Sequence, residues 1–265
     1  MPLSHGTTRP EPILACPGVR RIRPADLKDA LEKGLDDSLA MPSFHIFLGL
    51  IYPAALLWLA GYALPLLFPL LAGFALVGPF AGIGLYEMSR RRELGLDTSW
   101  KHALDVVRSR SISSILSLGL LLLVIFACWV IAAQLLYRAL FGTGLPDSLP
   151  AFIAAIFNTP QGWKLIVFGT ATGFVFAVMA LSISVVSFPL ILDRNAGVAV
   201  AVRTSIKAVL ANPITMALWG LIIAASLAAG VLLLLVGLAL AVPILAHASW
   251  HLYRKVVVHG DSLPR

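Results

Sequence analysis

Residues 208–253 read AVLANPITMALWGLIIAASLAAGVLLLLVGLALAVPILAHASWHLY, a run of 46 without one Asp, Glu, Lys or Arg. One crossing of the bilayer hydrocarbon takes about 20 apolar residues, so this run is long enough for two. A single straight helix from Ile214 to Trp250 would be about 55 Å long, far beyond a hydrocarbon core of roughly 30 Å. The run carries Gly230, Gly237 and Pro243 but no cluster of turn residues, so one long tilted helix stands as the alternative to a hairpin.

The same reading extends over the rest of the chain. Residues 165–192 and 111–137 form charge-free runs of 28 and 27 residues, each about one span. Residues 38–86 form a run of 49, about two spans, with Gly61, Tyr62 and Pro65 marking a fold-back near its middle. The expectation is an all-α polytopic helix bundle of six transmembrane helices at about 45–62, 65–89, 112–138, 164–192, 213–233 and 235–254. Strands are excluded because open edges leave backbone groups unpaired in lipid and no barrel-type alternation is present.

Basic residues decide between five spans and six. Six spans put 18 of the 20 Lys and Arg on one side, leaving only Arg138 and Lys164 opposite. Five would carry Arg254, Lys255 and Arg265 across and spoil that segregation. The positive-inside rule then places both termini in the cytoplasm. Residues 1–22, with Pro2, Pro10, Pro12 and Pro17, read as a flexible tail, 23–258 as the membrane domain and 259–265 as a second tail. No cleavable signal is evident before the first span. Cys16 and Cys128 have neither disulfide nor metal spacing.

Composition agrees. The 265 residues are 59% hydrophobic and 12% charged, against about 45–50% and 25% in soluble domains, which excludes an ordinary soluble enzyme. The net charge of +7 is accounted for by topology and anionic lipid, so nucleic acid is not needed as a partner. The expected partners are the bilayer and other inner-membrane proteins.

The cytoplasmic connections carry helical periodicity of their own. Leu27, Leu31, Leu35 and Leu39 recur every four residues after Pro24, with Lys28, Asp29, Glu32, Lys33, Asp36 and Asp37 opposite. Trp100, Leu104 and Val107 form a second stripe, and Val198, Val202, Ile206 and Val209 a third. Such helices fit the headgroup layer or the cytoplasmic ends of the spans. Thr98, Ser99, Lys101 and Leu104 recur 106 residues later as Thr204, Ser205, Lys207 and Leu210, a pattern compatible with duplication.

Two groups of residues are candidate sites. The second predicted span holds Gly78, Pro79, Gly82, Tyr86 and Glu87. Gly78 and Gly82 allow close approach of another helix, Pro79 opens backbone bonds, and broken helices of this kind line substrate sites in transporters. Glu87, near the interface, has arginines within reach for pairing. His247 and His251 share a helix face on the membrane side where His45 begins the first span. Converging imidazoles suit a metal or haem iron, and a His pair flanked by Trp250, Tyr253, Arg254 and Lys255 equally suits an interfacial anchor. No cofactor is specified. No expected span carries an ionisable residue at its centre, which argues against a proton-coupled pump. Phosphate-loop, zincin and nucleophile-elbow signatures are absent from the sequence.

Several stretches together resemble DUF2189, a family of bacterial integral membrane proteins. They are Tyr52-Pro53, Leu64 to Pro69, Gly73 to Phe80, Gly84 to Glu93, Ser205 to Lys207, Asn212-Pro213, Trp219, and Pro243 to Arg254. The resemblance spans roughly residues 20–258 and implies a multi-pass protein of the Gram-negative inner membrane, without implying an activity. The functional expectation is a non-enzymatic accessory or assembly factor acting through helix packing. The alternatives are a transporter or channel for a small or lipid-like solute, and a haem- or metal-binding protein.

Overall fold

The structure is a computed structural model that describes residues 16–41, 82–99, 101–142, 149–233 and 236–258. Within them the chain is helical: α1 (Pro24–Ala40), α2 (82–93), α3 (Lys101–Asp105), α4 (Ile112–Phe141), α5 (Leu149–Asn158), α6 (Pro160–Ser184), α7 (Ser187–Arg194), α8 (Val198–Ala211), α9 (Pro213–Leu232) and α10 (Val236–Val256). Three helical runs are long and apolar enough to cross a membrane: Ile112–Phe141, Pro160–Arg194 and Pro213–Gly230. Leu120, Val124, Ile131 and Leu135 on α4, with Val167, Phe168 and Phe174 on α6, lie exposed. Apolar surface of that extent needs lipid or protein against it.

Local chemistry sets the ends of these helices. Pro160 stands at the first position of α6, and the Thr159 hydroxyl caps it by accepting the Gly162 N–H at 3.0 Å. Gly162 also allows α5 to turn tightly into α6, because a β-carbon there would lie 2.1 Å from the Ile156 carbonyl oxygen. α9 and α10 are two separate helices packed on each other, and a β-carbon on Gly237 would lie 2.6 Å from the Gly230 Cα. These two glycines bring the helices into backbone contact, so the run is not one continuous helix; of the two, α9 is long and apolar enough to cross a membrane.

One break was not anticipated. The predicted span 164–192 is interrupted at Val185 and Val186, and the chain restarts as α7. Pro189 explains the interruption: it has no N–H to give the Val185 carbonyl, and its ring crowds that carbonyl. Ser187, Phe188, Pro189, Leu190 and Ile191 are then buried in a protein core.

That core gathers at one end of the spans. Leu27 and Ala30 of α1, Ile83 of α2, Ile115 and Leu118 of α4, Ala201 and Ala208 of α8, Trp219 of α9 and Leu252 of α10 belong to one cluster of buried residues. The segment before α1 joins the chain's other end there. Val19 pairs with Val257 in an isolated antiparallel bridge, with Arg20 N–H donating to the Val256 carbonyl at 2.7 Å and Val258 N–H to that of Gly18 at 2.9 Å. Asn212 locks this strap, accepting the Ile22 N–H at 2.8 Å and donating to the Arg20 carbonyl at 3.0 Å.

The packed faces follow the aliphatic stripes only in part: Leu27 is buried, and Leu31, Val198, Val202 and Val209 are half-buried against the core. On α1 the buried residues are Leu27, Ala30, Gly34, Asp37 and Ser38, whereas Leu35 and Leu39 are exposed. A four-residue spacing drifts about 40° per step around a helix, so Leu39 lies about 120° from Leu27. Spacings of three and four alternate along the true face. On α8 the buried residues are Ala201, Thr204, Ser205 and Ala208, while Ile206 and Leu210 are exposed. Just after α3, in the segment of the second stripe, Val106 is buried and Val107 exposed.

Candidate functional site

The close packing of α1 on α10 brings a polar cluster into the core. Gly34 makes the approach possible, since a β-carbon there would lie 2.6 Å from the Ala248 backbone nitrogen. One turn further along α1, Asp37 points inward and is 4% exposed. Ser89 and Arg92 reach it from α2 and His251 from α10, and His247 of α10 joins the cluster through Ser89.

The hydrogen bonds fix the order of the groups. The Asp37 carboxylate accepts from Ser89 Oγ at 2.5 Å, from Arg92 Nη1 at 2.5 Å and from His251 Nε2 at 2.8 Å. Ser89 Oγ also lies 2.7 Å from His247 Nδ1. A carboxylate only accepts, so the single serine proton goes to Asp37 and His247 Nδ1 must be the donor to Ser89. Burial pushes the Asp37 carboxyl up, but the hydrogen bonds from His251, Ser89 and Arg92 outweigh it and hold the group at about 2. It is therefore ionised throughout the neutral range.

This order differs from that of a serine hydrolase. There the imidazole stands between hydroxyl and carboxylate and takes the hydroxyl proton. Here the hydroxyl is in the middle, donating to a weakly basic carboxylate and accepting from the imidazole. The arrangement suits a clasp: it joins segments 52 to 214 residues apart, α1 to α2 and α1 to α10.

Further polar contacts reinforce the clasp. Glu93 accepts from Trp250 Nε1 at 3.1 Å and Arg254 Nε at 2.9 Å. Lys255 reaches Asp26 at 3.0 Å and Asp29 at 2.9 Å. The buried Tyr253 hydroxyl donates to Asp193 at 2.6 Å.

The sequence candidates fall into three sets. His247 and His251 share one face of α10, and each gives one ring nitrogen to the clasp. Glu87 pairs with Arg90 at 2.9 Å and Arg91 at 3.6 Å, while Gly82 and Tyr86 line a cavity described below. His45, Gly78 and Pro79 lie outside the described residues. Among the described residues no group of three or more His, Cys, Asp and Glu is arranged to hold a metal ion. Asp37, Ser89 and Arg92 were not candidates in the sequence. The signal for Asp37 was the series Leu27, Ala30, Gly34, Asp37, whose mid-helix glycine has no purpose on a solvent face.

Long apolar helices flanking a packed polar end define an integral membrane protein of the helical class. Residues 66–193 match the model of DUF2189, a family described as a predicted integral membrane protein. No curated protein and no solved structure matches the chain.

Proposed function

We propose that the protein is a non-enzymatic accessory or assembly factor of the bacterial inner membrane, with six spans, both termini in the cytoplasm and a helical module beneath the bilayer as its contact surface. The observation that carries this reading is the clasp. The histidines, serine and carboxylate that would otherwise suggest chemistry are engaged in tying the two ends of the chain together. The topology draws support from the shared location of both ends: α1 and the end of α10 pack on each other beside the start of α4 and the α7–α8 segment. The basic segments of the sequence converge on that end.

Leu35 and Leu39 give the module an exposed apolar face suited to a protein partner. The test is purification in mild detergent followed by mass determination, for the native chain and for a Leu35→Glu, Leu39→Glu double variant. A stoichiometric companion released by the double variant is expected. A native chain that emerges alone contradicts the reading.

A further inference from the structure

We propose that the membrane domain binds one neutral, carbonyl-headed lipid, its head against Trp219 and its tail in the groove between α4 and α6. Two neighbouring cavities carry the inference. The larger, about 400 Å³, lies between α4 and α6 and is walled by Leu122, Phe126, Trp129, Gly173 and Phe176, among others. The smaller, about 210 Å³, has Gly82, Tyr86, Trp219 and Ser249 in its wall. They share Leu122 and Ser184 as wall residues, so an elongated molecule can occupy both.

Their chemistry differs along that length. The larger cavity is almost wholly apolar and suits a hydrocarbon or isoprenoid tail. The smaller one is edged by hydroxyls that already have acceptors: Ser184 donates to the Ala180 carbonyl, Ser249 to the Leu245 carbonyl, and Tyr86 is hydrogen-bonded to Ser249. Trp219 is the exception. It is fully buried and its Nε1–H has no acceptor. An indole N–H can only donate, so the missing partner is an acceptor oxygen. No charged side chain is among the residues lining either cavity, which favours a neutral carbonyl over a carboxylate or phosphate.

Gly82 provides an independent handle. A β-carbon there meets nothing within 4 Å, so a larger side chain has room to grow into the cavity. This site is separate from the polar clasp and does not depend on the accessory role.

The test uses the full chain, delipidated in detergent and titrated with monoolein and with decylubiquinone, an ester and a quinone of the same general form. Calorimetry and native mass spectrometry read the binding. The expected result is saturable one-to-one binding of at least one probe. Trp219→Phe keeps the ring, removes the donor and weakens binding by about three- to ten-fold, as loss of one neutral hydrogen bond implies. Gly82→Ile abolishes binding while leaving the melting temperature within a few degrees. Binding of the ester alone identifies an acyl lipid, and of the quinone alone an isoprenoid carrier. If neither probe saturates, or if Trp219→Phe melts like the native chain and binds both equally well, the cavity contacts only bulk lipid and the proposal fails. Should Gly82→Ile not fold, the Trp219→Phe comparison decides by itself.

Discussion

Replacing Asp37 by Asn tests the clasp at its centre. The amide keeps the shape of the carboxylate but removes the charge on which Arg92, His251 and Ser89 converge. The carboxyl is held at about 2 instead of 3.8, so its ionised form is stabilised by nearly two pH units. At 1.36 kcal/mol per unit this corresponds to about 2 kcal/mol of stability at neutral pH. The sign follows from the depressed value: the contribution is complete above about pH 4 and is lost as the pH falls through about 2. Asp37→Asn should therefore lower the melting temperature in detergent at pH 7 by about 4–8 °C. Its melting curve should also fall less steeply than that of the native chain between pH 4 and 2. Asp37→Ala should cost more, about 3–5 kcal/mol, because Arg92 and Ser89 lose the group that satisfied them. Tryptophan fluorescence follows the melt, since Trp250 is buried in the same module. An Asn variant that melts with the native chain at pH 7 and keeps its full acid sensitivity would refute the reasoning.

Three other substitutions probe the packing that positions the clasp. Gly34→Val forces a side chain into the Ala248 backbone and should destabilise by at least about 1–3 kcal/mol, with earlier proteolytic cleavage of α1. Tyr253→Phe leaves the Asp193 carboxylate without its phenolic donor and should cost about 1.5–3 kcal/mol, read by the same thermal melt. Gly237→Val drives the α9 and α10 backbones apart, and should reduce the folded yield from membranes more than Gly119→Val, where a β-carbon meets nothing within 4 Å.

Much of the fold was legible because membrane helices announce themselves by length and composition. The predicted spans 112–138 and 213–233 lie close to α4 and α9, which are long and apolar enough to cross a membrane, and 235–254 lies close to the helix α10, while 45–62 and most of 65–89 lie outside the described residues. Pro189 was harder to read. Proline is tolerated in a span when neighbours satisfy the freed carbonyl, and nothing local says whether it will bend the helix or end it. Helices stand at the segments where amphipathic stripes were read, but the stripes of large aliphatics do not by themselves mark the packed faces. Close approach selects small residues instead, Gly34 on α1 and Ala201 and Ala208 on α8, leaving larger side chains such as Leu39 and Leu210 outside.

The site divides in the same way. The shared face of His247 and His251 follows from helical spacing and was visible in the sequence. Their partners were not, because Asp37 and Ser89 come from helices remote in sequence and a long-range pair leaves no periodic mark. A carboxylate among Lys28, Glu32 and Lys33 on a cytoplasmic helix reads as part of a solvated face. Only the packing of α1 against α10 shows that Asp37 is interior.

The most direct test of the account is whether the two ends of the chain meet within one molecule in the membrane. Val19 and Val257 pair across the antiparallel bridge, a spacing suited to a disulfide. With Cys16 and Cys128 replaced by Ser, a Val19→Cys, Val257→Cys variant would be oxidised in membrane vesicles and then cut at a protease site engineered between residues 143 and 148. The account predicts two fragments that stay joined until reduced. Fragments that separate without reductant, or that crosslink only between chains, would contradict it.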